Sequence, residues 1–196
     1  PDHYWYYFQN NGRAVKASDD LKKKTINGKT YGFDDNGRML FGFVTGDGDR
    51  ITDEDPFEEA VYYFGDSDDG AMHKGWLQYT DGSELDGNYG WDSESGKDYD
   101  DLDEMWFYFN TSTGKKVAGD NSTATKTING NKYIFDEHGV MISEWVSSDS
   151  NSKYYNDQTQ GWLERSGWIW AIPSYDINQK DNEDDEYRWF YAPSSG

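Results

Sequence analysis

The sequence predicts an all-β protein, an elongated β-solenoid of stacked β-hairpin repeats, and three observations lead there. Aromatic runs recur along the chain at matching intervals, Asn-Gly turns sit between alternating segments, and aromatic residues are abundant in an otherwise polar chain. Hydrophobic residues make up 34% and the mean hydropathy is -1.07, yet aromatics reach 18%, with Trp 9, Tyr 16 and Phe 10. Disordered chains are poor in aromatics, so the low hydropathy points to many small aromatic clusters in place of one aliphatic centre. Repeat proteins bury surface in that way, each unit packing on its neighbours.

The first element is an aromatic strand followed by a polar turn with Gly, Trp5-Tyr6-Tyr7-Phe8-Gln9-Asn10-Asn11-Gly12-Arg13. It returns as Trp106-Phe107-Tyr108-Phe109-Asn110, running on to Gly114-Lys115-Lys116-Val117, and begins again at Trp189-Phe190-Tyr191. A second element reads Lys24-Thr25-Ile26-Asn27-Gly28-Lys29-Thr30-Tyr31-Gly32-Phe33, and its twin is Lys126-Thr127-Ile128-Asn129-Gly130-Asn131-Lys132-Tyr133-Ile134-Phe135. Asn-Gly between alternating flanks predicts a two-residue type I′ hairpin, because both central residues of that turn need positive φ. Polar turns follow at Asp34-Asp35-Asn36-Gly37 and Asp136-Glu137-His138-Gly139, rich in residues that favour turns. A third element carries Val61-Tyr62-Tyr63-Phe64 with Gly75-Trp76-Leu77, and its partner Lys153-Tyr154-Tyr155 with Gly161-Trp162-Leu163.

These elements keep their order. Trp5 and Trp106 lie 101 residues apart, Ile26 and Ile128 lie 102 apart, and Trp106 and Trp189 lie 83 apart. The chain is therefore expected to be a single repeat module with super-repeats over 4–104 and 105–187 and the start of a third at 188–196, within a longer chain. Stretches 46–59, 80–104 and 165–186 break the rhythm and are expected to be loops inserted between repeats, with a short strand at Trp168-Ile169-Trp170-Ala171-Ile172-Pro173 inside the last. The best helical segment is a mere turn at Glu58-Glu59-Ala60. One two-stranded hairpin is marginal in water, so stability needs several in series.

Charge narrows the partners. Asp and Glu number 38 against 18 Lys and Arg, a formal net charge of -20. Such a field repels nucleic acid and anionic membranes, and it also keeps an aromatic-rich surface soluble. Without cysteine there are no disulfides, thiolate metal sites or thiol nucleophiles, and no apolar run is long enough for a membrane helix. The acidic clusters at Asp47-Gly48-Asp49, Asp66-Ser67-Asp68-Asp69-Gly70, 98–104 and 181–186 lack the ligand spacing of a calcium loop. His3, His73 and His138 occupy non-equivalent positions without metal-ligand spacing. No nucleophile-elbow or phosphate-binding motif occurs. The expectation is a protein with no cofactor, no metal and no catalytic residues.

The combined pattern resembles the choline-binding and glucan-binding cell-wall repeats of Gram-positive surface proteins. The likeness rests on Trp5-Tyr6-Tyr7-Phe8 with Asn11-Gly12, on the two Thr-Ile-Asn-Gly units, and on Gly75-Trp76 and Gly161-Trp162. It implies ligand sites between neighbouring hairpins, where Trp from a Gly-Trp step, a strand-opening Trp and an aromatic of the next hairpin hold a quaternary ammonium by cation–π attraction. Transferred by position, this nominates Trp76 with Trp106 and Tyr133, and Trp162 with Trp189. Trp145 replaces the Gly-Trp step after Glu144, and Trp5 opens the first aromatic strand. Thr30, Val61, Lys132 and Lys153 stand where the other repeats would open with Trp. The strand aromatics Tyr31, Phe33, Tyr62, Phe64, Tyr133 and Phe135 are most simply core, so Tyr133 carries both readings, and Met39, Met72 and Met141 suit gaps beneath them.

The expected function is a non-catalytic wall- or glycan-binding module, extracellular at a bacterial cell surface, that anchors a longer protein. Its partner would be a cell-wall polymer, choline-bearing teichoic acid or a glucan. A structural stalk or adhesin segment contacting a host protein is the alternative, as is the targeting region of a wall hydrolase or glucosyltransferase.

Overall fold

A computed structural model describes residues 3–53, 55–79, 105–148, 151–157, 159–173 and 186–196. It is all-β, with no helix among the described residues. The strands are β1 (Lys22–Ile26), β2 (Lys29–Phe33), β3 (Phe43–Val44), β4 (Tyr62–Tyr63), β5 (Gly75–Tyr79), β6 (Met105–Phe109), β7 (Ala124–Ile128), β8 (Asn131–Phe135), β9 (Glu144–Ser148), β10 (Asn151–Tyr155), β11 (Gly167–Ala171) and β12 (Arg188–Ala192). Each pairs with its neighbour in the chain to form a two-stranded sheet.

The Asn-Gly turns fold as their chemistry requires. Ile26 faces Lys29 and Ile128 faces Asn131 across antiparallel ladders. The turn residues hold φ of 50° and 84° at Asn27 and Gly28, and 50° and 85° at Asn129 and Gly130. Positive φ at both places is the type I′ signature.

After four of the hairpins the chain makes a polar turn and lays one more residue beside the second strand. Met39 bridges Phe33, Lys116 bridges Phe109, Met141 bridges Phe135 and Leu163 bridges Tyr155. That residue also ties its hairpin to the preceding one. Backbone N–H groups donate from Met39 to Trp5, Met72 to Thr30, Lys116 to Val61, Met141 to Trp106 and Leu163 to Lys132, at 2.7–2.8 Å. Trp5, Thr30, Val61, Trp106 and Lys132 are thus structurally equivalent, as the sequence comparison aligned them.

A side-chain contact with a glycine accompanies four of these five ties, all but that of Lys116. A Cβ placed on Gly70, Gly114 or Gly161 would come closer than 3.0 Å to the thioether of Met39, Met72 or Met141 respectively, and one on Gly196 would stand 2.7 Å from Leu163. The methionines do fill gaps, and the gap in each case is the missing side chain of the next turn's glycine.

The chain divides into two compact units, residues 1–77 with 107–117 and residues 78–106 with 118–196. In the first unit, Val15, Phe33 and Met39 form one buried cluster, and Leu40, Val44, Tyr62 and Phe64 form another. Phe57 is fully buried with its ring 5.5 Å from Phe107. In the second unit, Ile169, Ala171 and Ala192 pack with Trp145, Tyr154 and Phe190.

The strand pairing places the insertions differently from the sequence reading. Residues 45–61 connect β3 to β4, 80–104 connect β5 to β6 and 172–187 connect β11 to β12. They lie inside hairpins, as the connection between two paired strands, and not between repeats. The segment Trp189-Phe190-Tyr191 accordingly closes a hairpin with β11. Of the strand expected at Trp168-Ile169-Trp170-Ala171-Ile172-Pro173, the first four residues lie in β11, which ends at Ala171. Insertion 80–104 and most of the last one fall outside the described residues.

Candidate functional site

Antiparallel pairing and strand alternation build one exposed aromatic face in the second unit. On β11, Ile169 and Ala171 turn inward while Trp168 and Trp170 are 69% and 51% exposed. On β12, Ala192 is buried and Phe190 half-buried, while Trp189 and Tyr191 are 62% and 60% exposed. The register sets Trp168 opposite Tyr191 and Trp170 opposite Trp189. Ring centroids lie 5.3 Å apart for Trp168–Tyr191, 6.5 Å for Trp168–Trp189 and 4.9 Å for Trp170–Trp189. Exposed Tyr187 extends the row, stacked on Trp170 at 5.9 Å and 20°. Contiguous exposed aromatic surface on this scale marks an interaction site more often than chance.

The other nominated residues have diverse surroundings. Trp5 is half exposed, its indole edge-on to His3 at 5.9 Å. Trp76, at the head of β5, meets Tyr108 in a T-shaped contact at 5.1 Å. Trp106 stands half-buried on β6, the strand that pairs with β5. Tyr133 lies in β8 and is 8% exposed. Trp162 is half-buried, and its Nε1 donates to Glu164 at 3.1 Å. Trp145 is wedged edge-on between Tyr154 and Phe190, each at 4.9 Å, and its Nε1 donates to the Ile172 carbonyl at 2.7 Å. The nominated partner Trp189 stands among Trp168, Trp170 and their neighbours.

The sequence reading did not nominate Trp168, Trp170, Tyr187 or Tyr191. A signal was present: Gly167-Trp168 opens β11 as Gly75-Trp76 opens β5. By sequence spacing Gly75-Trp76 matches Gly161-Trp162 instead. Gly161 is a turn glycine seated on Met141, equivalent to Gly70 on Met39.

Several charged groups have structural partners. Asp34, Asp66, Asp136 and Asp157 each begin a turn and accept backbone N–H bonds from residues two to four positions on. Asn110 does the same for Ser112. These are Asx turns, in which the side chain replaces a backbone acceptor. The bonds from Asp69 and Asp68 hold the Asp66 carboxyl below the usual carboxylate range, and the Thr159 hydroxyl, with the backbone of Gln160 and Thr159, does so for Asp157. Burial, then nearby Glu144, pushes the Tyr154 phenol up to about 12. His73 donates Nε2–H to the Trp76 carbonyl at 2.8 Å.

Some aromatic faces in the first unit already carry cations of the chain itself. The Arg50 guanidinium lies 3.6 Å from the Phe41 centroid, Lys23 Nζ lies 4.5 Å from that of Tyr62, and Arg38 lies 5.0 Å from that of Tyr4. Among the described residues no group of His, Asp and Glu could hold a metal ion. The acidic clusters at 98–104 and 181–185 lie outside those residues.

No protein-family model and no curated protein matches the chain. Solved structures do resemble it. Choline binding protein F from Streptococcus pneumoniae matches with a TM-score of 0.58 and 20% identity, over 100% of this chain and 49% of its own. The modular autolysin LytC from the same organism matches at 0.53 and 17%, over 98% of this chain and 32% of its own. CbpJ, also from that organism, matches at 0.51 and 19%, over 97% and 55%. This chain thus spans about half of choline binding protein F, or 49%. The likeness is one of fold, a series of β-hairpins like those of choline-binding proteins.

Proposed function

We propose that the chain is a non-catalytic, cell-wall- or glycan-binding repeat module of a surface-located protein. It acts through aromatic faces presented by its hairpins. The observation that carries this reading is the exposed row on β11–β12, which includes Trp189. Burying such rings is favourable by about 25 cal/mol per Å² of apolar surface, so leaving them in water favours a role that covers them. The fold likeness to choline-binding proteins supports a wall polymer as partner, choline-bearing teichoic acid or a glucan. A host protein contacted by an adhesin segment is the competing partner. Likeness to the modular autolysin favours one elaboration, in which such a module targets a wall hydrolase.

The test is retention of the purified chain on Gram-positive cell walls, followed by elution with choline or with soluble glucan. Retention reversed by either supports the reading and identifies the ligand. Failure to bind walls, with neither choline nor any glucan on an array bound, overturns it.

A further inference from the structure

We infer that the end of the β11–β12 hairpin carrying Trp170, Tyr187 and Trp189 is a platform for the pyranose faces of a neutral polysaccharide. This rests on the wall- or glycan-binding reading and gives it a surface and a ligand class.

Comparison of two hairpins within the chain isolates the residues. Gly75-Trp76 of β5 corresponds to Gly167-Trp168 of β11, and Trp106-Phe107-Tyr108 of β6 to Trp189-Phe190-Tyr191 of β12. At the shared positions rings serve packing: Tyr108 is 8% exposed and meets Trp76 edge-on. Trp170, however, stands where β5 has Gln78, which is exposed. A hairpin of this type therefore folds without a ring at that place. Trp170 is nevertheless an indole, 51% exposed, stacked on Tyr187 and tilted against Trp189.

Geometry selects the ligand class. A cation cage needs rings converging on one point, each within about 6 Å. Here Trp170 and Tyr187 lie 20° from parallel with centroids 5.9 Å apart. Inserting a group between two faces takes about 7 Å, twice a carbon contact distance, so nothing enters between them. What remains is a one-sided apolar surface, suited to the C–H face of a sugar ring. The net charge of -20 opposes a polyanion, which leaves a neutral polymer. From behind, Trp145 holds the Ile172 carbonyl at 2.7 Å and packs on Phe190, fixing the end of β11.

Affinity electrophoresis of the whole chain through gels holding dextran, amylose or hydroxyethyl cellulose tests this, with hyaluronate as the polyanion. At least one neutral polymer should retard the chain and hyaluronate should not. Trp170→Gln combined with Tyr187→Ser should weaken retardation at least about tenfold, and Trp170→Phe should stay within about threefold of the parent. Both sites are exposed, and matching thermal melts of the variants check the fold. Binding to walls is measured on the same proteins. Undiminished polysaccharide binding by the double variant overturns the platform while the wall-binding reading stands. No retardation of the parent by any neutral polymer overturns it too, as does self-association that Trp170→Gln abolishes without polysaccharide binding.

Discussion

Each methionine that closes a repeat acts through a glycine one repeat further on. Gly161 holds φ of 64° with Met141 against it. In Gly161→Ala a left-handed backbone costs a residue with a β-carbon about 1–2 kcal/mol, and the thioether must also move aside. Urea unfolding should show a loss of about 1–3 kcal/mol. Met141→Ala removes what the new methyl strikes, so the double variant should be more stable than the sum of the single losses predicts, by about 0.5 kcal/mol or more. Strict additivity would deny the contact. The turn carboxylates make a pH prediction of definite sign. A carboxylate whose folded pKa is depressed stabilises above its unfolded value and loses that contribution as pH falls through the folded one. Asp66 and Asp157 are both depressed, so their contribution fades below about pH 4. Asp157→Asn installs what Asn110 already supplies in an equivalent turn, a neutral acceptor. Thermal melts from neutral to acid pH should show a lower melting temperature than the parent near neutrality, a shallower fall, and convergence with the parent in acid. Reading the difference cancels the relief of charge repulsion common to both proteins.

At the scale of the element, Lys116 occupies the place held elsewhere by Met39, Met72, Met141 and Leu163. It keeps the backbone tie to Val61, but its ammonium donates to the Phe57 carbonyl, with the Glu58 carbonyl 3.5 Å away and the Phe107 ring centroid at 5.8 Å. It therefore fastens the turn at 55–60 onto its unit. Lys116→Met should preserve the backbone tie, cost about 1–3 kcal/mol for the lost charge-assisted bonds, and speed amide exchange at Glu58 and Ala60 while leaving β1 and β2 unchanged. Unaltered exchange at those amides would show that the lysine does not hold the turn. Legibility follows the same scale. Hairpins β1–β2 and β7–β8 could be read because Asn-Gly is a local signal carried by adjacent residues. The pairing of β11 with β12 could not, since hairpin connections are usually two to five residues and 172–187 separates the partners. That distance hid Trp168 and Trp170 from the ligand-type reading, although their alternation with Ile169 and Ala171 was visible. Tyr133 was legible as core from its place among the strand aromatics, and its burial agrees with that over the ligand wall its position also suggests. Trp145 was nominated by position alone, and its indole N–H bonded to Ile172 depends on a neighbour that spacing does not reveal.

For the molecule as a whole, charge and aromatic surface act in opposite directions on a wall. A net charge of -20 sets up repulsion from any anionic polymer, whereas ring contacts are short-ranged and almost indifferent to ionic strength. Screening lengths shrink from about 14 Å to about 4 Å between roughly 0.05 M and 0.5 M salt, so added salt removes the repulsion and leaves the contacts. If aromatic faces carry the binding, retention on purified walls should hold or strengthen as sodium chloride rises across that range. Attraction to cationic groups of the wall predicts the reverse, because screening then removes the attractive component. Repetition adds a second expectation to the same measurement. Several weak faces on one chain bind a polymer with avidity, so soluble short saccharides should compete far less well, per ring, than the intact polysaccharide. Wall retention that falls steeply with salt, with short and long saccharides competing equally, would show binding that is electrostatic and univalent, and the aromatic reading would fail at this scale.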